Sequence, residues 1–275
     1  MHCVDFCGKS ISRLIIGGNP FSGNSHVSGE LDEAMLDYYS TRRIKDALFR
    51  SIECGINTVQ ARGDAHIIRI MREFRNEGGE MHFIGQTASE FGSFENSVRM
   101  LRRAGAYACY HHGTMTDILF KAGDTGALKQ RLAVIRASGM AVGLGSHMPE
   151  VFHTAEREKW DVDFHMCCVH NISKVQRESS AVTGKANSGE PFDDEDRAVM
   201  YEFIRSTPKP CLAFKILGAS RYCSTPETIR GAFQEAFDNI KPTDAIVVGM
   251  FQRDKDQVAE NAALVSEILE RAGAV

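Results

Sequence analysis

Histidines in this sequence gather at one kind of place, the end of a short apolar run. Six of the ten stand there or just past it: His26, His66, His111, His112, His147 and His170. Imidazole titrates near neutral pH, and its neutral ring nitrogens also bind transition metals. The residue types therefore point to two kinds of chemistry, metal-assisted catalysis and metal-free proton transfer.

A mononuclear metal site is the first of these. The imidazoles of His66, His112 and His147, with the carboxylate of Asp64, would supply ligands for Zn, Mn or Fe. Such a metal would polarise a carbonyl or activate a water molecule. No local motif such as HExxH fixes the spacing, so the fold must bring these residues together.

Acid–base catalysis without a metal would use the same residues. Asp64 would orient His66 or His112 as a general base. Lys215 leaves an apolar run, where desolvation would suit it to a Schiff base or to proton transfer, and a salt bridge is its structural alternative. We predict a catalytic set of Asp64, His66, His112, His147 and Lys215, and a barrel that binds a small ligand without catalysis remains an alternative.

Polar side chains at the ends of other apolar runs predict the contacts with the substrate. Asn19, Arg62, Gln86 and Asn171 carry amide or guanidinium groups, which hydrogen-bond hydroxyl, carbonyl and carboxylate oxygens. Residues 17–26, GGNPFSGNSH, would bring backbone N–H groups to the same place, although they lack the P-loop pattern. These features favour a small polar carbonyl compound or a sugar-like substrate.

Eight short apolar runs alternate with helical patterns and must position these residues. The runs are SRLIIGGNP, GINTVQARG, MHFIGQTAS, AYACYHHG, MAVGLGSHMP, VDFHMCCVHN, PCLAFKILGA and DAIVVGMF. Near-continuous apolarity is typical of parallel strands that are covered on both faces. Eight strand–helix repeats without a break in composition predict an α/β fold, a single (β/α)8 TIM barrel over residues 1–275, with a doubly wound sheet as the alternative.

A barrel would gather the candidate residues, because the C-terminal ends of its strands meet at one mouth. Two connections leave that face and are long, residues 20–40 after the first predicted strand and residues 172–196 after the sixth. Long connections on the catalytic face are often lids. We predict that residues 172–196 form a lid or a flexible loop.

Several of these segments resemble the aldo-keto reductases, which are (β/α)8 barrels that bind a nicotinamide cofactor without a Rossmann motif. CGINTVQ resembles the Gly-Ile-Asn strand of that family, and VGLGSH and VHN are similar to its Gly-x-Ser-Asn and Tyr-Asn segments. DAIVVGMFQRDKDQVAEN resembles the segment that grips the adenosine end of the cofactor. The resemblance implies that NADP would be held by Gln257, Glu260 and Asn261.

The resemblance also implies where the family's Asp, Tyr, Lys and His catalytic tetrad would stand. The Asp falls on Gln60, the Tyr on or near Ala65 and the Lys on Gln86, and only the His has a counterpart, at His111 or His112. We therefore expect a diverged enzyme with isomerase, lyase or hydrolase chemistry. An NAD(P)-dependent oxidoreductase with a modified catalytic site is the alternative.

Composition excludes other classes of partner. The net charge of −4 gives no basic surface for nucleic acid or anionic membrane. No apolar run is long enough to span a bilayer, and the first residues lack the apolar segment of a signal peptide. The eight cysteines contain no CxxC pair. We expect a cytoplasmic location and a small-molecule substrate, and the oligomeric state is left open.

Overall fold

The computed structural model contains a closed barrel of eight parallel strands, with strand order β10-β3-β4-β5-β6-β7-β8-β9. It describes residues 1–89, 91–175 and 189–273. The barrel strands are β3 Leu14–Gly17, β4 Thr58–Arg62, β5 His82–Gln86, β6 Ala108–His111, β7 Ala141–Ser146, β8 Phe164–Cys168, β9 Cys211–Phe214 and β10 Ala245–Gly249. The predicted (β/α)8 barrel is confirmed, and each of the eight apolar runs supplies one strand.

Ten α-helices lie in the described residues and surround the barrel. They are α1 Gly29–Tyr38, α2 Thr41–Glu53, α3 Ala65–Asn76, α4 Phe94–Arg103, α5 Gly113–Lys121, α6 Thr125–Ala137, α7 Pro149–Arg157, α8 Glu195–Ser206, α9 Pro226–Asn239 and α10 Gln257–Arg271. Local sequence sets where several of them begin. Ser40 Oγ accepts a hydrogen bond from the Arg43 N–H, and Thr225 forms a capping box with Pro226 at the first helical position. None of these helices is long and apolar enough to cross a membrane.

An antiparallel hairpin closes the N-terminal end of the barrel, and the sequence analysis did not predict it. Its strands are β1 Cys3–Phe6 and β2 Lys9–Ser12. Phe6 and Ile11 are fully buried and join the apolar cluster inside the barrel, where the rings of Phe6 and Phe164 meet edge to face at 5.0 Å. Side chains of the hairpin therefore fill this end of the barrel interior in the described part of the chain.

The two long connections differ from simple loops. The connection after β3 contains a 3-10 turn at Pro20–Ser22 and all of α1 before α2 begins. The connection after β8 begins with a 3-10 turn at Ile172–Lys174 and leads to α8. Residues 176–188 lie outside the described part of the chain, so a lid at residues 172–196 stays a prediction.

Candidate functional site

A cavity of about 360 Å³ opens at the C-terminal ends of the barrel strands. That volume lies at the lower end of the range for small-molecule sites. Strands from almost every side of the barrel contribute to its wall. Its polar lining includes Asn19, His26, Gln60, Arg62, Gln86, Tyr110, His112, His147, Lys215, Arg253, Asp254 and Gln257.

A buried histidine–aspartate pair forms one wall of this cavity. His147 directly follows β7, and its Nδ1 lies 2.7 Å from Oδ2 of Asp117 on α5. The two side chains are only 5% and 3% exposed. Because a carboxylate accepts and cannot donate, Nδ1 carries the proton and Nε2 lies at the opposite edge of the ring. Gly113 fits the ring closely, since a Cβ there would come within 3.2 Å of His147 Cε1.

Two hydroxyls and an imidazole hold the carboxylate of Asp117. Ser146 Oγ donates to Oδ1 and Ser173 Oγ donates to Oδ2, each at 2.5 Å. Burial acts to raise the pKa of Asp117, but the attraction of His147 and these hydrogen bonds outweigh it and leave the pKa below its usual value. The carboxylate is therefore ionised at neutral pH and fixes the tautomer and orientation of His147, which is how a catalytic base is held.

The adjacent histidines His111, at the end of β6, and His112, at the start of α5, have different surroundings. His112 lines the cavity, while its backbone N–H donates to Thr87 Oγ1 at 3.1 Å. His111 is buried on the outer side, with Nδ1 2.7 Å from Thr116 Oγ1 and Nε2 accepting from Arg131 at 3.2 Å. Burial lowers the pKa of His111 to about 3, so it is a neutral structural side chain.

The positions of the missing tetrad residues are joined by a tyrosine. Gln60 Nε2 donates to the hydroxyl of Tyr110 at 2.8 Å, and that hydroxyl donates to Gln86 Oε1 at 2.7 Å. Burial raises the pKa of Tyr110 well above its usual value. Neutral amides do not lower the pKa of a phenol as a lysine ammonium would, so this tyrosine keeps its proton. Neither Gln60 nor Gln86 carries a charge that would assist proton transfer by this tyrosine.

Asp64 and His66 lie apart from His112 and His147, the other residues of the predicted metal site. Asp64 is the N-cap of α3, and its Oδ1 accepts from the Ile67 N–H at 2.8 Å. His66 is exposed on α3, with Nε2 3.1 Å from Thr41 Oγ1, and neither residue lines the cavity. Within residues 1–89, 91–175 and 189–273, no group of three or more His, Cys, Asp or Glu side chains could hold a metal ion. The physical reason is that α3 begins at residue 65 and turns these side chains to its own end and outer face.

The other candidates divide between the cavity wall and its surroundings. Lys215 and three of the four predicted substrate residues, Asn19, Arg62 and Gln86, line the cavity. Asn171 does not, and its backbone N–H donates to Asp196 Oδ2 at 2.9 Å. In the described part of the connection after β8, Ser173 contacts Asp117 and Glu190 contacts His26, which lines the cavity.

The residues implied for the cofactor also divide. Gln257 lines the cavity, and its Oε1 accepts from the backbone N–H of Phe251 at 2.9 Å. Glu260 pairs with Lys255 at 2.5 Å, and neither Glu260 nor Asn261 reaches the cavity wall.

Comparisons with known proteins agree with this architecture. The sequence matches no protein-family model and no curated protein. Among solved structures, a glycerol dehydrogenase from Gluconobacter oxydans is 12% identical with a TM-score of 0.51, and the match covers 98% of this chain and 95% of that one. An aldo-keto reductase from Bacillus halodurans in its holo form is 10% identical with a TM-score of 0.57, over 98% and 90%.

A protein with a different description matches with a similar TM-score. A rubisco-like protein from Burkholderia fungorum is 12% identical with a TM-score of 0.52, over 96% of this chain and 62% of that one. At such low identity these likenesses concern the fold and carry no activity with them. The predicted resemblance is confirmed at that level: the chain has the barrel fold of the aldo-keto reductases.

Proposed function

We propose that this chain is a barrel enzyme that catalyses acid–base chemistry on a small polar carbonyl or sugar-like substrate. The reaction would be an isomerisation, an elimination or a hydrolysis, each of which needs a proton to be moved at the substrate. The observation that carries the proposal is the buried Asp117–His147 pair, whose imidazole lines the cavity. A surface ion pair would not require such burial, and a ligand-binding barrel would not require an orienting carboxylate.

His147 is the proposed general base. Its Nε2 would take a proton from the carbon next to a substrate carbonyl, and the negative charge on Asp117 would stabilise the imidazolium that forms. His112 and Arg62, which line the same cavity, would stabilise the oxygen on which negative charge develops. Return of the proton to the former carbonyl carbon, with transfer of the hydroxyl proton from one oxygen to the other, would complete an isomerisation. Departure of a leaving group, protonated by the imidazolium as it leaves, would complete an elimination.

The metal-assisted form of this chemistry receives less support. His112 and His147 share the cavity, but the described residues add no third ligand to them. The proton-transfer mechanism needs no further ligand. We therefore favour proton transfer by His147 over a mononuclear metal centre.

Solvent exchange tests the proposal even while the product is unidentified. Small aldoses, ketoses and 2-oxo acids are incubated with the protein in D₂O, and proton NMR follows the loss of hydrogens next to each carbonyl. We expect exchange in at least one compound, and a decrease of about 10²–10⁴-fold in His147→Gln, since a positioned base contributes that much. His66→Gln is the matched control, because His66 is exposed on α3 away from the cavity. Equal exchange rates in His147→Gln and the unaltered protein would reject His147 as the base.

NAD(P)-dependent oxidoreduction with a modified site is the second candidate. It is favoured by the likeness to a dehydrogenase and to a reductase solved in holo form, and by Gln257 on the cavity wall. Calorimetric titration with NADP⁺ and NADPH, repeated on Gln257→Ala, tests it. Micromolar binding that weakens in the variant, together with aldehyde reduction near 1 per second or faster, would place this candidate first. We expect reduction to be absent or far slower, because Gln60 and Gln86 stand where the charged tetrad residues would be.

A further inference from the structure

Two glutamine side chains of the cavity wall are hydrogen-bonded to the same hydroxyl group. Gln60 Nε2 on β4 donates to the Tyr110 hydroxyl at 2.8 Å, and that hydroxyl donates to Gln86 Oε1 on β5 at 2.7 Å. All three side chains line the cavity. Because both amides contact one oxygen atom, they lie side by side on neighbouring strands of the barrel.

The shared hydroxyl determines which atoms of the two amides remain for a ligand. A phenol hydroxyl has one hydrogen, so it donates to one amide oxygen and accepts from the N–H of the other amide. The oxygen of Gln60 and the nitrogen of Gln86 are therefore left over, an acceptor and a donor. In the described part of the chain neither atom has a hydrogen-bond partner, and protein atoms do not enclose either of them completely.

The burial of Gln60 favours a ligand at this acceptor. The side chain belongs to the buried part of the molecule, with the residue only 7% exposed. A buried amide oxygen without a hydrogen bond destabilises the folded state, and leucine would occupy a similar volume without that cost. A cavity ligand that donates a hydrogen bond to Gln60 Oε1 removes the cost.

The ring of Tyr110 links the two amides to the part of the wall that carries His147. Tyr110 lies on β6, which pairs with β7, and a Cβ at Gly145 on β7 would come within 2.9 Å of Tyr110 Cδ2. The lack of a side chain at Gly145 thus allows the ring to lie against β7, two residues before His147. The amides and the imidazole therefore line one continuous part of the wall, from β4 to β7.

We propose that Gln60 and Gln86 bind hydroxyl groups on the carbon chain of the substrate, which makes the substrate a polyhydroxy compound, a sugar or a sugar derivative. Gln60 Oε1 accepts from one hydroxyl, and Gln86 Nε2 donates to a hydroxyl oxygen. A chain with a hydroxyl on every carbon offers a donor and an acceptor to both amides, whereas a carboxylate only accepts and an ammonium only donates. The inference rests on the proposed function and narrows its substrate class.

Polyols without a carbonyl group test this inference without requiring turnover. The intact protein is titrated by calorimetry with xylitol, ribitol and arabinitol, and with the five-carbon diol that keeps only the two terminal hydroxyls. We expect at least one pentitol to bind at one site at least tenfold more tightly than the diol, because the diol leaves the amides without partners.

Substitution of the two amides identifies where the pentitol binds. Gln60→Leu and Gln86→Leu should each weaken pentitol binding at least tenfold without weakening the binding of the diol. Gln130→Leu is the matched control and should bind the pentitol like the unaltered protein, because Gln130 is exposed on α6 and does not line the cavity. If Gln60→Leu fails to fold, Gln86→Leu decides the question, since Gln86 is only half-buried.

Two results would overturn the inference: no pentitol binds more tightly than the diol, or the preference for the pentitol survives both substitutions. The outcome is separable from that of the proposed function, because a polyol has no carbonyl group on which His147 could act. Pentitol binding that persists in His147→Gln, without solvent exchange in the unaltered protein, would keep the hydroxyl site and remove the proposed catalysis. Solvent exchange in simple 2-oxo acids without pentitol binding would keep the catalysis and remove the hydroxyl site.

Discussion

The buried histidine His111 should make folding stability fall as the solution becomes acidic. Its pKa is lowered to about 3 by burial, with a further contribution from the Arg131 guanidinium. In the unfolded chain the imidazole has its ordinary pKa near 6.5. Between these two values the unfolded state binds a proton that the folded state does not. Stability is therefore complete above pH 6.5 and is lost at about 1.4 kcal/mol per pH unit below it.

The loss of folding stability is large enough to measure well above pH 3, the folded-state pKa of His111. Between pH 6.5 and pH 5 the expected loss from His111 alone is about 2 kcal/mol, and the whole difference of 3.5 units corresponds to an upper limit of about 5 kcal/mol. Other groups titrate over the same range. The change in free energy of unfolding between pH 7 and pH 5 is therefore compared between the unaltered protein and His111→Gln. Urea unfolding of the unaltered protein and of His111→Gln measures it.

We expect His111→Gln to be less stable at pH 7, because it disturbs the contacts with Thr116 and Arg131, but to lose about 2 kcal/mol less between pH 7 and pH 5. His66→Gln, which replaces an exposed imidazole, is the control and should keep the original pH dependence. The same pH dependence in His111→Gln and the unaltered protein would show that His111 does not remain neutral in the folded state.

Three further substitutions test the site and the closed end of the barrel. Tyr110→Phe removes the hydroxyl that hydrogen-bonds both Gln60 and Gln86. Because the two amides lose this partner, the free energy of urea unfolding should fall by about 1–3 kcal/mol. An unchanged value would mean that the amides find other partners. Phe6→Ala should cost about 3–5 kcal/mol in the same assay, because its ring is fully buried inside the barrel end; a cost below about 1 kcal/mol would show that the hairpin is not part of the core. Asp117→Asn should slow solvent exchange by about 10²–10⁴-fold, because a neutral amide does not stabilise an imidazolium. Circular dichroism should show that the fold is intact. An unchanged exchange rate would exclude an orienting role for Asp117.

The barrel strands were predictable from sequence because each is a buried apolar run flanked by a helical pattern, and that signal repeats eight times. The N-terminal hairpin gave a weaker signal. Its two strands have four residues each and are joined by Cys7 and Gly8, whose φ values of 51° and 77° are both left-handed. Two-residue turns of this type usually carry Asn or Asp at the first position. Because Cys7 is unusual at that position, the turn is not evident from the sequence. The apolar residues Phe6 and Ile11 on either side were consistent with two strands that bury side chains.

The candidate site shows a different limit: the sequence analysis paired Asp64 with a histidine, whereas the carboxylate that contacts His147 is Asp117 on α5. Asp64 stands directly before a helical pattern, and an aspartate in that position is most often an N-cap, which is the role that it has. Asp117 lies inside α5, within the apolar stretch TMTDILF, where a rule about strand ends does not apply. In this structure Nδ1 of His147 meets a carboxylate of α5, a helix between β6 and β7. The contact depends on how α5 packs against β7, and the spacing between residues 117 and 147 in the sequence does not reveal that packing.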